Sequence, residues 1–408
     1  MRHTTRRRWY PTSSLMLVAA LLAACTAGSS DTSSTIVESA TTLASAATTP
    51  SSATTQTTPS ASSSLYESAL DAAVQKLPVK AVLIGIAEGE ATPWLAARGE
   101  SMTGVPATPD MHFRNGAVAI SYLGTLLLLM VEQGVVALDD PLAKWFPDYP
   151  EADKVTLEML IHGTSGYPDY VPDEGFLKAL HDDPFRAWTP DQLLDIAFSQ
   201  PVHCQPGTCF SYAHTNFVIL GAVLAKAAGK PLAELVKEKV LDPLQLTGTF
   251  ADQTARIPEP VLHAFDGERG TYEESTFWNP SWTLADGLIQ TSTIADVLKS
   301  ATAIGAGTLL TPESHQIQLE PVTAKFPPMS DENYYAYGHY VAKGWILQIP
   351  SFNGYAATMA YLPSRKLSIA IAVTVDETAD PERNYSTDIL SDITKTIVPE
   401  AAFVGSAR

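Results

Sequence analysis

Phe113-Arg114-Asn115-Gly116-Ala117-Val118-Ala119-Ile120-Ser121 opens an apolar run that ends near Val131. An aromatic residue and a glycine precede a stretch whose spacing predicts an amphipathic helix. Glu132-Gln133-Gly134 closes it, with Gly134 as the stop signal, and Leu138-Asp139-Asp140-Pro141 reads as the next turn. Asp139 and Asp140 look like a catalytic carboxylate pair but fit a turn and cap better. Three or four residues apart is one helical turn, so Ala117, Ile120 and Ser121 share roughly one face.

Composition bounds what this helix can belong to. The 408 residues are 45% hydrophobic, enough for one large domain or two smaller ones with a substantial core. Net charge is −18, from 26 basic and 44 acidic residues. Removing a leader that holds Arg2, Arg6, Arg7 and Arg8 and no acid takes it to about −22. A nucleic-acid partner is excluded by that balance, because phosphate neutralisation needs clustered Lys and Arg. Adsorption to an anionic membrane by charge alone is excluded likewise.

Residues 1–24 read as an export signal: a basic start, an apolar segment from Leu15 to Ala24, and small residues at the cut. Ten apolar residues are too few to span a bilayer, which takes roughly 20. Leu22-Ala23-Ala24-Cys25 matches a bacterial lipobox, so Cys25 is the expected lipid attachment point, placing the protein on the outer face of the cell membrane. From 25 to 64 the chain is almost entirely Ser, Thr, Ala and Pro; it cannot bury enough apolar surface to order itself and is expected to be a disordered tether. The folded domain should then span 65–400.

Cys204 and Cys209 flank Gln205-Pro206-Gly207-Thr208, and in an oxidising envelope a disulfide is the default for such a pair. A zinc site with His203 and His214 is the rival; Pro-Gly between the cysteines and the lack of a second pair argue against it. No metal or other cofactor is expected, and His162, His315 and His339 read as satisfied structural histidines.

Periodicity places a helix over 66–77, with Leu70, Ala73 and Val74 on one face, and strands over 80–87 and 94–98. Helical character dominates from 117 to about 304, with candidates at 157–161, 190–198, 216–228 and 232–240. Strands return at 337–341, 344–349, 357–361 and 367–375, before a helix over 387–397. The pattern is α+β: one sheet built from both chain ends, with a helical region between them.

Several phrases now line up. Leu160-Ile161-His162-Gly163-Thr164-Ser165-Gly166-Tyr167 is one. Pro206-Gly207-Thr208-Cys209-Phe210-Ser211-Tyr212-Ala213-His214-Thr215-Asn216 is another, and Gly354-Tyr355-Ala356-Ala357 through Leu362-Pro363 a third. With Phe113–Ser121 and Leu138–Pro141 they resemble, in order, the motifs of the serine β-lactamase and penicillin-binding-protein superfamily, in its class C β-lactamase and D-Ala-D-Ala carboxypeptidase branch. The resemblance covers about 66–398 and implies an antiparallel sheet flanked by helices beside an all-helical lobe.

That family needs a Ser hydroxyl to attack an acyl carbonyl and a Lys one turn later to manage its proton. A Tyr-x-Asn loop and a His-x-Gly or Lys-Thr-Gly strand complete the site with a second acid/base, a cation and an oxyanion hole. Here Ala117 stands at the nucleophile position and Ile120 at the Lys position. Tyr212 survives, and His214 replaces the Asn. Counting back from Gly354 puts the third motif on Gln348-Ile349-Pro350, which lacks the cation and has Pro where Gly belongs; an edge strand beside the cleft would tolerate that Pro.

The resemblance therefore implies an envelope lipoprotein with a hydrolase fold and no hydrolase chemistry, binding a cell-wall peptide, a lipid or a protein partner through Tyr212 and His214. The rival is a working hydrolase with a relocated nucleophile, Ser121 foremost. A third reading is a structural protein whose cleft is packed shut by Ile120, Gln348 and Pro350. Trp278, Trp282 and Tyr272 either line a pocket or fill the core. Thr164 and Ser165 read as loop hydrogen-bonders.

Overall fold

The run Val82-Leu83-Ile84-Gly85-Ile86 is apolar at successive positions, as a strand covered on both faces must be. The computed structural model, which describes residues 61–251, 254–381 and 383–405, shows that cover. The leader, Cys25 and residues 26–60 of the tether lie outside the described residues. The tether's last four residues, 61–64, instead form the first turn of a helix.

In chain order the elements begin with α1 (Ala61–Val74), β1 (Val79–Glu88), β2 (Trp94–Met102), β3 (Val105–Pro106), β4 (Phe113–Arg114) and α2 (Val118–Glu132). The helical region continues with α3 (Leu157–His162), α4 (Glu174–Asp182), α5 (Pro190–Phe198), α6 (His214–Ala228) and α7 (Leu232–Val236). Short strands β5 (Phe250–Ala251), β6 (Phe265–Asp266), β7 (Glu273–Glu274) and β8 (Gln290–Ser292) precede α8 (Ile294–Gly305) and α9 (Pro312–Gln318). The chain closes with β9 (Asn333–Tyr335), β10 (Tyr340–Ala342), β11 (Trp345–Gln348), β12 (Ser351–Phe352), β13 (Tyr355–Leu362), β14 (Leu367–Val375) and α10 (Tyr385–Ile397).

The main sheet runs β3-β2-β1-β14-β13-β11-β10-β9, antiparallel throughout, with β12 folded onto β13. Its centre is the pairing of β1 with β14, Ile84 opposite Ile371 and Ile86 opposite Ile369. Two cores follow from the pleat. Val82, Ile84, Ile86, Ile369, Ile371 and Val373 face Leu70 and Ala73 of α1 and Ile389, Leu390 and Ile393 of α10. Ala81, Leu83, Ala370 and Ala372 face the larger core, which holds α2, α6 and α8. Apart from Leu83 the residues on that second face are small, and α8 presses in: a Cβ at Gly85 would stand 3.0 Å from the Leu298 side chain. Each fully buried Leu or Ile in these layers contributes about 1.5–3 kcal/mol.

Helix α2 departs from the expectation of amphipathicity. Twelve of its residues are buried, including Ile120, Ser121, Leu123 and Leu126–Leu128, so it is a central helix with packing on every side. Gly124 allows this, since a Cβ there would stand 2.2 Å from the Tyr337 carbonyl oxygen. Of the strand expected over 337–341 only Tyr340 and Val341 are strand, in β10; residues 336–339 form a turn that follows β9. The helix expected over 232–240 becomes π-helical at Lys237–Leu241.

Candidate functional site

The first and third motifs meet directly, and the turn at Gly338 joins both. Asn115 and Gly116 make the turn into α2, and Ala117 occupies its N-cap position at φ −64° with its methyl partly exposed. Gly116 has φ +53°, a left-handed value that glycine accepts freely. A Cβ on it would fall 2.7 Å from Pro350 Cβ and 2.9 Å from Phe352 Cε1. The side of Gly116 that a Cβ would take is therefore occupied by Pro350 and Phe352.

Those two residues sit in a built element. Ala357 donates its N–H to the Pro350 carbonyl at 2.9 Å, and Asn384 at the start of α10 donates its side-chain amide to Ile349 O at 2.9 Å. Ser275 Oγ donates to Asn353 O at 2.7 Å, and Phe352 meets the Trp282 ring edge-on at 6.2 Å. This corrects the expectation that Pro350 lies in an edge strand. Strand β11 ends at Gln348, and its outer edge is paired with β10 through Tyr340 opposite Leu347. Pro350 follows in the turn, where no ladder N–H is required.

Behind Ala117, Ile120 is fully buried. The turn at Gly338 lies against it, so close that a Cβ on Gly338 would stand 2.3 Å from Ile120 O and 3.2 Å from its Cγ2. Gly338 O accepts two hydrogen bonds, from Ser121 Oγ at 2.9 Å and from Gln348 Nε2 at 2.6 Å. Ser121 is fully buried and its hydroxyl is spent on that carbonyl, so it has no path to a substrate. Gln348 is only 2% exposed and holds the same carbonyl. Ile120 and Gln348 thus help seal the wall of the cleft.

The second motif remains closer to the surface. Tyr212 and His214 are both partly exposed, and their rings meet edge-on at 5.3 Å. Tyr212 also packs against Phe217 at 5.3 Å and Tyr335 at 5.8 Å. Burial, and then the fields of Tyr340 and Asp169, hold its phenol well above the ordinary value of 10.0, so it is a donor and not a base. His214 begins α6 and takes Asp169 as its partner: its backbone N–H lies 3.1 Å from Oδ1 and its ring Nδ1 3.0 Å from Oδ2. One carboxylate thus caps the helix, in place of the uncapped Ala213, and orients the imidazole. With Nδ1 donating to Asp169, Nε2 is left as an acceptor.

Asp169 was not visible as a site residue in the sequence. The signal was there in Pro168-Asp169-Tyr170, an acid following the Thr164-Ser165-Gly166 loop, but nothing local says that it reaches residue 214. The loop itself behaves as expected: Ser165 Oγ donates to Asn216 Oδ1 at 2.5 Å and accepts from Tyr167 N at 3.0 Å. The Cys204–Cys209 disulfide is formed, and its loop is stitched to 163–166 by the N–H groups of His203, Gly207 and Ser211. Trp278 and Trp282 belong to the buried interior, and Tyr272 stacks on Phe265 with its hydroxyl on Val375 O.

The histidines hold the main surprise. His315 is bonded, Nδ1 to Gln318 Oε1 at 3.1 Å. His162 and His339 are fully buried and none of their four ring nitrogens has a partner. They are buried but, against expectation, not satisfied. The reason is local: Tyr337 covers His162 edge-on at 4.3 Å with an apolar ring, and its hydroxyl turns away to Glu158 at 3.0 Å.

Two hollows lie away from the motifs. One of about 10 Å³ is lined by Thr125, Ala303 and Leu310, and an open one of about 550 Å³ by Val131, Val136 and Lys144.

Comparison with known proteins supports the fold. The chain is 30% identical over 190 residues to penicillin-binding protein 4 of Amycolatopsis lactamdurans, covering 45% of this chain and 46% of that protein. It is 27% identical over 179 residues to the D-alanyl-D-alanine-carboxypeptidase/endopeptidase AmpH of Escherichia coli, 42% and 45% of the respective chains. The chain thus spans about half the length of the curated relatives it matches. Among solved structures, the D-stereospecific amidohydrolase from a Streptomyces species superposes with a TM-score of 0.68 at 24% identity, over 82% of this chain and 98% of that one. The D-amino acid amidase of Ochrobactrum anthropi SV3 gives 0.72 at 21%, over 83% and 98%. The family model described as Beta-lactamase matches residues 70–391, and the chain belongs to that family.

Proposed function

We propose that this chain is a non-hydrolytic member of the family, lipid-anchored at Cys25 to the outer face of the cell membrane, that acts by binding. The observation that carries the reading is the pairing of Ala117 at the nucleophile position with a fully buried Ile120 at the lysine position. A methyl group cannot attack, and an isoleucine cannot move a proton. In a well-studied serine protease, loss of the nucleophile alone costs on the order of 10⁶ in turnover.

What remains able to meet a ligand is the rim. Tyr212 offers a hydroxyl donor and His214 an Nε2 acceptor, side by side and backed by Asp169. A donor next to an acceptor suits one edge of a peptide amide. Relatives are named as D-alanyl-D-alanine carboxypeptidase and D-amino acid amidase, so a D-alanine-containing cell-wall peptide is the ligand class proposed here.

The test uses the full chain, incubated with a fluorophosphonate probe and with a fluorescent penicillin, followed by intact mass. No adduct is expected under conditions that label an active relative. Titration with a peptide ending in D-alanyl-D-alanine should show binding that weakens in His214→Ala. A stoichiometric adduct lost in Ser121→Ala would overturn the proposal and establish the relocated nucleophile.

A further inference from the structure

The turn at residues 335–340 is where the wall of the cleft is held. Its Gly338 rests on Ile120 and accepts from Ser121 and Gln348. Tyr337 lies over Gly124 of α2, and Tyr335 packs on Tyr212 and Phe210. Helix α2, the Tyr212 loop and strand β11 all meet this one turn.

At the same junction sit two imidazoles with nothing to bond. His339 belongs to the turn, and His162 ends α3 immediately before the 163–166 loop that carries the disulfide segment. Both are fully buried with both ring nitrogens unpartnered. The titratable groups around them give no help to a charge. His162 meets the Tyr337 ring and the field of His339; His339 meets the field of His315. Glu158 is engaged by the Tyr337 hydroxyl, and Glu320 acts on Tyr337 as well. Burial keeps the Tyr212 and Tyr335 phenols neutral, the α2 hydroxyls of Ser121, Thr125 and Tyr122 are all bonded, and Glu132 at the end of α2 is engaged by Thr311. No carboxylate among the described residues bonds either imidazole. A neutral ring is tolerated in such a place; a cation is not.

We propose that His162 and His339 form a proton-operated latch: while both are neutral the turn at 335–340 lies closed on α2 and the Tyr212 loop, and when they take up protons the turn lets go, uncovering Ile120 and the inner face of Tyr212. Burial lowers both imidazoles from 6.5 to about 3 in the closed state, His162 further by His339 and His339 further by His315. In the open state they regain ordinary values, so the open form binds more protons below about pH 6.5 and is favoured as pH falls. Going from pH 7.5 to 5.0 multiplies the opening constant by about 30 for each histidine, or about a thousandfold for the pair.

The experiment is amide hydrogen exchange by mass spectrometry on the full chain between pH 7.5 and 4.5, corrected for intrinsic rates. Peptides covering 333–342 should lose protection as pH falls, while those from β1 and β14 keep theirs. The logarithm of the opening constant should change by close to two per pH unit near pH 5. Each of His162→Gln and His339→Gln should remove about half of that slope, and the double variant all of it. A slope near zero in the wild type overturns the latch, which keeps the test decisive if the double variant does not fold. So does loss of protection everywhere at once, or an unchanged slope in the double variant.

Discussion

Putting back the two residues at the nucleophile and lysine positions, Ala117→Ser with Ile120→Lys, is predicted to yield a weaker fold and no enzyme. Ala117 is partly exposed, so the serine alone costs little. Ile120 is fully buried, with Gly338 pressed against its Cγ2. Taking the isoleucine away forfeits about 1.5–3 kcal/mol of burial. An ammonium in its place pays a desolvation cost of several kcal/mol, less whatever it recovers by shedding its proton. The net expectation is a loss of about 3–5 kcal/mol, from a total that for domains generally runs to about 5–15 kcal/mol.

Urea denaturation measures the loss, and a pH series identifies its cause. A lysine buried without a partner has its folded-state pKa depressed, so between that value and about 10.4 the unfolded chain holds more protons. Stability of the variant must therefore recover as pH rises from 7 toward 10, relative to the wild type. Gln348 stays buried on the Gly338 carbonyl and supplies no cation to the third motif, so a burst assay with a chromogenic β-lactam should show no acylation at any pH. Wild-type stability together with stoichiometric acylation would show that the cleft is open and only two side chains away from catalysis, and would refute the packing argument.

Replacing both cysteines, Cys204→Ser with Cys209→Ser, opens a loop of six residues and should cost about 2 kcal/mol by the chain-entropy estimate, seen as a lower urea midpoint. The same change should raise hydrogen exchange at His203, Gly207 and Ser211, whose N–H groups hold the loop to 163–166. Gly124→Ala gains helix propensity yet puts a methyl 2.2 Å from the Tyr337 carbonyl, so thermal unfolding should report net destabilisation of about 1–3 kcal/mol.

The parts of this fold written in local periodicity were legible in the sequence. Helix α5 and strand β14 fall on the residues their patterns indicate, because a capping box at Thr189 and an apolar run bounded by turns are local signals. The all-round burial of α2 was not legible, since an apolar run says that a helix is buried without saying by what. The site divides in the same way. Ala117, Ile120, Tyr212 and His214 are placed by the family resemblance of one phrase each. Asp169 at 45 residues from His214, and Phe352 against Gly116, are meetings made by the tertiary fold, and no window of sequence contains both partners. The unpartnered nitrogens of His162 and His339 are likewise properties of a place.

The sheet's central seam also fixes when this molecule can become itself. Strand β1 has β14 for a neighbour, roughly 290 residues downstream, and at translation rates of about 5–20 residues per second that partner arrives some 15–60 s after β1 does. Until then Val82, Ile84 and Ile86 have only the β2 hairpin beside them and no α10 above. Contacts so distant along the chain make for slow closure. A nascent chain cut off anywhere before Leu367 keeps an open, apolar strand edge, the surface on which misassembly starts.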